Sequence, residues 1–572
     1  MERKGIVMDI SRRSFIKGAG LAGAGFAAAS LAACKPKSSA SDASTGESSM
    51  PSTGVNANSA PSSWDTPPEP IDDAQISEVI DTEVCILGAG VSGVVAAAVA
   101  AELGARVLVM QNKETIHSQG SGAAAFNSQR QTENFDDEFR SELVRLKSLY
   151  EGGLVNHELV SLWLDRSGEA VDWVLDRIEE DGVTASFDTY ENWREADDQA
   201  KTCPISAMWG SSDSMGSMAI ISALAPRAES MGAQFIYNTT ARQLIREEGG
   251  EGRVVAALGE KSDGTYLRVN ASKAVIVCTG GYEANDEMRD TFMPHANRFK
   301  ALSDNKGEGL QMGRWVGADI DPAPHASNIH YNYLPSDPFG SGLPWLRVNK
   351  EGKRLGNEDI AYSFLPFLDI YSEEAACYQI FDADYDLYYP RMIDHGAGIF
   401  RSVPSPKFVA DAVTLQTTED TSSWSDLDKT WQYYLEMGSM VRADSLEELA
   451  SQFGINYEEL QKTVDRYNEL YDAGNDVDFG KKPERMQAIR KAPFYGIRRE
   501  ACVLGTLNGL VINNRMQVLD DKRKVIPGLY AAGNASGGRF FGGIAQAMVA
   551  PATTISRALV WGYLAALDIC QA

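Results

Sequence analysis

Apolar and polar positions first fall into a recognisable order near residue 83. From Glu83 to Leu87 a short, largely apolar run predicts a buried strand, and it runs straight into Gly88-Ala89-Gly90-Val91-Ser92-Gly93. An alanine-rich segment then predicts a helix to Leu103, and Arg106 to Met110 predicts a second strand. Much later, Lys273 to Thr279 reads as a further strand ending in Gly280-Gly281-Tyr282. Near the C-terminus, Gly528-Leu529-Tyr530-Ala531-Ala532-Gly533-Asn534 precedes a segment in which Pro551 suits the first turn of a final helix.

Strand, glycine turn, helix and second strand in that order are the context that gives the glycine pattern its meaning. Gly88 permits the tight turn, Gly90 lets a pyrophosphate approach the backbone, and Gly93 lets helix and strand pack closely. The helix start, with Ala89 and Ser92, then faces the phosphates. At the end of the second strand, where an acidic residue would hold the adenosine ribose, the chain has Gln111 followed by Asn112. A glutamine carbonyl still accepts one hydrogen bond but brings no charge. Ala241 joins this group of expected cofactor contacts.

Three further segments point to FAD, bound non-covalently, rather than to a nicotinamide. Ser118 to Asn127 is small and rich in Gly and Ala, as a loop beside a flat ring must be, and its expected contacts are Ser118, Gln119, Ala124, Ala125 and Phe126. The second segment supplies Thr279, Gly280 and Gly281, and the third Gly533 and Asn534. Thr553, Thr554 and Ile555 would lie in the first turn of the final helix, whose N-terminus favours negative charge on a reduced ring. Both ends of the chain therefore meet on one cofactor.

With 572 residues, 44% hydrophobic and 23% charged, the chain reads as α/β protein with more than one packed lobe. Its formal net charge of -26, with no Lys/Arg run in the body, excludes a nucleic-acid partner and an anionic-lipid surface. The seven cysteines form no C-x-x-C, so the usual local motifs for haem, iron-sulfur clusters or structural zinc are missing, and no metal site is expected. Cys85 and Cys278 lie in apolar strands and read as small buried hydrophobes.

Ser11-Arg12-Arg13-Ser14-Phe15-Ile16-Lys17 precedes a Gly/Ala-rich stretch to Ala33 that is too short and too weakly apolar to span a membrane. It resembles a twin-arginine export signal, which carries proteins already folded around a cofactor. Leu31-Ala32-Ala33-Cys34 resembles a lipobox, the alternative being a plain cleavage site. The following Ser/Ala/Pro/Gly-rich stretch would make a flexible tether. The expected location is the outer face of the cytoplasmic membrane, the periplasm or the cell surface, with membrane association only through a lipid anchor.

Together these residues resemble the flavoprotein family of soluble fumarate reductases, with the related urocanate and acrylate-type reductases and 3-ketosteroid dehydrogenases. The resemblance implies an α/β fold: a Rossmann-like FAD-binding domain split in sequence (77-323 and 504-572), with an inserted α+β capping domain (324-503). A signal peptide (1-33) and a linker (34-76) would precede them. Arg354, within Val348 to Glu358, matches the arginine of the family motif G-x-R-F-x-N-E and would donate the proton opposite the hydride. Other members keep this motif for structural reasons. The family's substrate histidine in H-H-T-M-G-G is replaced by Gly505, and its C-terminal arginine segment reads Gly537-Gly538-Arg539-Phe540-Phe541-Gly542-Gly543, with Arg539 as a candidate replacement. Tyr362 follows the motif at a spacing seen in ketosteroid dehydrogenases and is a second candidate acid or base. His325 and His330 stand where a substrate histidine is placed, one of them for substrate and the other expected at the surface.

The resemblance implies an FAD-dependent oxidoreductase acting on CH-CH groups. The leading expectation is a fumarate reductase-like reductase of a C=C bond conjugated to a carbonyl or carboxylate, fumarate itself excepted. Its partners would be a small unsaturated organic substrate and a separate electron donor, whether cytochrome, flavoprotein or quinol-linked, as in anaerobic respiration. The alternatives are a 3-ketosteroid-type dehydrogenase or enone steroid reductase, and a non-catalytic flavin electron carrier.

Overall fold

Parallel pairing of strands buried on both faces organises the larger of two main sheets. In the computed structural model, β1 (Ile76–Leu87) leads through the glycine turn into helix α1 (Val91–Glu102) and then β2 (Val107–Met110). β1 pairs in parallel with β2, Cys85 opposite Leu108, and on its other side with β3 (Tyr266–Val277), Cys85 opposite Val275. The expected strand at Lys273 to Thr279 is thus the end of a longer one. Residues 84 to 87, 107 to 110 and 274 to 277 are all buried, which is why these runs show no alternation. Cys85 and Cys278 are buried among them as expected, and burial pushes the Cys278 thiol up to about 12. Helix α1 is buried from Val91 to Ala101, so it needs no polar face.

The structure describes residues 63–120, 122–131, 135–187, 205–211, 214, 216–247, 251–331, 343–360, 362–394, 426–436, 438–544 and 552–571. The leader with Arg12, Arg13 and Cys34, and Pro551, lie outside them. Residues 61 to 572 form one unit. Among the described residues no helix is long and apolar enough to cross a membrane.

The second sheet is built on residues between β3 and the C-terminal segment. Its β4 (Ser327–Tyr331) runs antiparallel to β5 (Phe494–Thr506), Ser327 opposite Thr506 and Tyr331 opposite Ala501. Strand Ala376–Asp382 pairs with β5 further along, Phe381 opposite Tyr495. Around it lies a separate apolar core that includes Leu346, Ile380, Leu449, Leu460 and Met486.

From β5 the chain returns to the first sheet. β6 (Val525–Ala531) lies parallel to β3, Tyr530 opposite Ile276, and α2 (Thr553–Gln571) closes the fold. A sheet split in sequence is therefore what forms. Helix α2 starts at Thr553, two residues after Pro551, and Ala552 before it has a left-handed backbone (φ 62°). At Gly562 a Cβ would stand 2.3 Å from the Ser92 carbonyl oxygen, so α2 rests on the start of α1 only because this residue has no side chain.

The tightest contact is inside the glycine turn, where a Cβ on Gly93 would lie 1.9 Å from the Gly88 oxygen. Gly93→Ala is expected to cost about 3 kcal/mol. Urea unfolding checks this, and an unchanged midpoint would mean the turn is not close-packed.

Candidate active site

The glycine turn presents open backbone where it is not closed by packing. Gly88 has φ +103°, which a side chain would strain, and a Cβ there would collide with the Cys278 carbonyl at 2.5 Å. At Gly90 the situation is the reverse. A Cβ would meet only the His117 oxygen, at 3.6 Å, and Gly90 gives α1 no side-chain cap, so the first N–H groups of the helix are left for a ligand.

Gln111 is buried, and its side chain faces the protein: Nε2 donates to the Thr115 oxygen at 3.0 Å, and Oε1 accepts a long bond from Ala89 N at 3.4 Å. It pins the glycine turn to the chain after β2, a role the expected ribose contact did not include. Ala241 is buried on the neighbouring strand Thr239–Arg246.

Several of the segments expected to face a flavin touch one another. Ala124 N donates to the Ala552 oxygen at 3.4 Å, and a Cβ on Gly120 would lie 2.6 Å from Ile555, so the segment from Ser118 to Phe126 lies against the start of α2. Gly533 backs onto Ser92, where a Cβ would be 2.7 Å from Oγ, and Gly281 onto Thr506, 2.1 Å from Oγ1. Two buried hydroxyls beside these segments, Thr279 Oγ1 and Ser217 Oγ, find no partner among the described residues. Ser217 was not a sequence candidate; its N–H donates to the Gly120 oxygen at 2.9 Å, a contact between distant segments that no local motif marks. Unsatisfied buried donors beside an open glycine are what a polar dinucleotide would complete. The residues fit FAD.

Both candidate histidines are buried, which corrects the expectation that one is at the surface. His325 Nε2 lies 2.6 Å from the Asp321 carbonyl oxygen and must donate to it, so Nδ1 accepts from the Tyr282 hydroxyl at 2.7 Å. Burial lowers its pKa to about 3, and the ring is a neutral strut with both nitrogens engaged. His330 Nε2 pairs with Asn328 Oδ1 at 2.6 Å, and burial lowers its pKa to about 4. Arg539 is turned back onto the chain, donating to the Pro322 and Pro324 carbonyls.

Glu283 and Asp321 are among the buried carboxylates that were not sequence candidates. Glu283 accepts from Thr506 N at 2.7 Å and Ser303 Oγ at 2.9 Å, and burial raises its pKa. Asp321 accepts from Asn508 Nδ2 at 2.9 Å and from the backbone of Gly538 and Arg539, and burial raises it too. Asp321 thereby fixes the loop that carries Phe540 and Phe541. Its sequence setting beside Pro322 looks like any turn acid.

Arg354 lies in an ion cluster of the second lobe. Its guanidinium bonds Glu358 through Nε (2.9 Å) and Nη2 (2.8 Å), and Asp476 through Nη1 (3.2 Å) and Nη2 (2.8 Å). It is sandwiched by the rings of Tyr467 at 4.8 Å and Phe479 at 4.9 Å. Burial alone would lower its pKa, but the two carboxylates hold it above the ordinary value. Lys481 reaches Glu358 at 3.3 Å in the same cluster. Tyr362 opens the 3-10 helix Tyr362–Asp369. That helix ends on Asp369, fully buried beside Cys377 and Tyr331, with neither carboxylate oxygen in hydrogen-bond geometry with a donor among the described residues. Burial raises Asp369 to about 7 against the pull of Arg347. Among the described residues no cluster of His, Cys, Asp or Glu could hold a metal ion.

A fold with this split parallel sheet, open glycine turn and flavin-facing loops defines an FAD-binding flavoprotein. Residues 83–546 match the family of FAD binding domains, and the chain belongs to it. It is 27% identical over 67% of its length to an NADH:acrylate oxidoreductase of Vibrio harveyi, of which it spans only 34%. It is 25% identical over 80% of its length to a vinyl phenol reductase of Lactiplantibacillus plantarum, covering 90% of that protein. Its fold is similar to the open conformation of a flavocytochrome c3 fumarate reductase (TM-score 0.64, 20% identity, covering 89% of this chain and 82% of the other).

Three outcomes follow from this geometry. Gly90→Ala is expected to leave the urea midpoint unchanged while weakening FAD binding about tenfold, measured by flavin fluorescence on dilution. Arg354→Ala strands Glu358 and Asp476 and is expected to cost about 3–5 kcal/mol in chemical unfolding. Asp369 has a folded pKa above its unfolded value near 3.9, so its contribution to stability is fully present below about pH 4 and is lost as pH rises through 7. Asp369→Asn should remove that decline, of which about 3 kcal/mol falls between pH 5 and pH 8, seen as a smaller drop in stability over that range than in the parent protein.

Proposed function

We propose that this protein is an exported FAD-dependent reductase of a C=C bond conjugated to a carbonyl or an aryl group, and that its substrate is larger and less charged than fumarate. The observation that carries the reading is the state of the cations around the C-terminal loop. Arg539 is held by the Pro322 and Pro324 carbonyls, Arg557 by the Leu507 carbonyl and Asn534, Lys147 by Glu151, and His325 is neutral. A dicarboxylate needs a cation at each end, because a desolvated, unpaired carboxylate costs several kcal/mol. None of these four groups is disengaged to provide one, and the Phe540 and Phe541 rings of the same loop are buried in the core beneath it. The resemblance to a vinyl phenol reductase over nine-tenths of that protein's length supports an aryl substrate.

Bound FAD supplies the hydride to one carbon of the double bond. The protein must then deliver one proton to the other carbon, and a separate reduced partner must return two electrons, with one further proton taken up from solvent, to restore the hydride donor. Arg354 shares its charge between Glu358 and Asp476, which leaves Tyr362 as the alternative candidate for the proton step. Gly88, Gly90 and the start of α1 would hold the cofactor phosphates, and the loops from Ser118, Thr279 and Gly533 would lie beside the ring. The arginine-pair leader and Cys34 support delivery of the folded holoprotein to the outer face of the membrane, close to an electron source.

The test is anaerobic reoxidation of the dithionite-reduced protein by hydroxystyrenes, aryl acrylates, urocanate, enone steroids and fumarate. At least one aryl or ring-enone acceptor should react about 100-fold faster than fumarate; equal or faster fumarate reduction would sink the substrate assignment. Tyr362→Phe should keep FAD and lose about two orders of magnitude in turnover, and full activity in that variant would return the proton step to another group.

A further inference from the structure

Arg557 is a buried cation that none of the steps above uses. It lies in the second turn of α2, fully buried, with its guanidinium over the Phe541 ring at 4.8 Å. Nη1 donates to the Leu507 carbonyl at 2.7 Å, and Nη2 donates to Asn534 Oδ1 at 2.8 Å, while Nε is buried without a partner among the described residues. Burying an arginine is costly, and two charge-assisted bonds plus the fields of Asp321 and Glu151 offset only part of that cost. Its two anchors lie in segments expected to face substrate or flavin: Leu507 follows Gly505 and Thr506, and Asn534 follows Gly533.

A guanidinium only donates, and a side-chain amide has one accepting and one donating end. With Oδ1 turned to Arg557, the Asn534 Nδ2 group must point the other way. It does so toward Gly505, where a Cβ would come within 3.0 Å of it. Nδ2 makes no hydrogen bond to any described residue, although Asn534 is half-buried. Gly505 leaves the gap into which this donor points, at the position where the resemblance would put a histidine. We propose that Arg557 is a positioning residue that locks the Asn534 amide so that its NH2 group faces the flavin ring as an obligate hydrogen-bond donor.

This rests on the flavoprotein reading above. A donor held against the ring stabilises the negative charge that reduction adds, so its orientation sets the midpoint potential of the bound flavin. The experiment measures that potential anaerobically, against reference dyes, in the holoprotein and in Arg557→Met, Asn534→Ala, the double variant and Arg557→Lys. Each single change is expected to shift the ratio of oxidised to reduced flavin about tenfold, close to 30 mV downward for a two-electron couple. The double variant should match Asn534→Ala alone, because Arg557 acts through that amide. Arg557→Lys, which still donates to Oδ1, should restore most of the potential.

Additive shifts in the double variant would show that Arg557 acts by its own charge and would overturn the proposal, as would unchanged potentials in both single variants. If Arg557→Met fails to fold, Asn534→Asp serves instead: it accepts from Arg557 with either oxygen and offers no donor, so its potential must fall below that of Asn534→Ala. A parent protein that holds no FAD would defeat the flavoprotein reading itself, whereas FAD retained with additive shifts defeats only the role given to Arg557.

Discussion

Close backbone approach at three glycines holds the two halves of the cofactor fold together. Gly93 lets α1 sit on the turn that starts it, Gly533 lets the C-terminal loop touch Ser92, and Gly562 lets α2 lie on the Ser92 carbonyl. All three contacts converge on one or two residues at the start of α1. Every one is a place where a methyl group would need the backbone to move, and dense interiors do not yield in that way. The segments between β3 and the C-terminal loop can therefore form a second sheet with its own core while the ends of the chain remain fixed against one another.

This constraint also explains where charge is tolerated inside the protein. Asp321, Glu283, Arg557 and the Lys147–Glu151 pair are buried around the returning loop, and each is tied to a loop backbone or to a partner across the fold. Gly542 N donates to Glu151 Oε2 at 2.7 Å, and Lys147 lies 4.4 Å from the Phe541 ring on which Arg557 also rests. Unpaired, any one of them would cost several kcal/mol. Paired, they specify one conformation for a loop that has little secondary structure of its own.

The cofactor half was legible in the sequence because its signals are local. Strand, glycine turn and helix follow one another, and each glycine's role depends on neighbours a few residues away. Gln111 was legible as a departure, but not its engagement with Ala89 and Thr115, which needs the turn after β2 to be known. Arg354 shows the limit more sharply. The motif names the residue, yet what its guanidinium does depends on Asp476, more than a hundred positions along the chain, and on the rings of Tyr467 and Phe479. His325 likewise carried a plausible role until Tyr282 and the Asp321 carbonyl took both ring nitrogens.

Substrate recognition is therefore a matter of which polar groups stay disengaged after folding, and sequence similarity does not report that. A chain can keep a family's arginines and histidines in number while turning each one inward onto a carbonyl or a carboxylate. Here four groups around the returning loop are turned inward: Arg539, Arg557, Lys147 and His325 each bond the protein. What remains disengaged beside that loop is the amide of Asn534, a neutral group, which suits a ligand held more by shape than by charge. Such a site can move from a dicarboxylate to an aryl alkene without any change in the flavin fold, because the glycine contacts that build the cradle involve none of the side chains that choose the substrate.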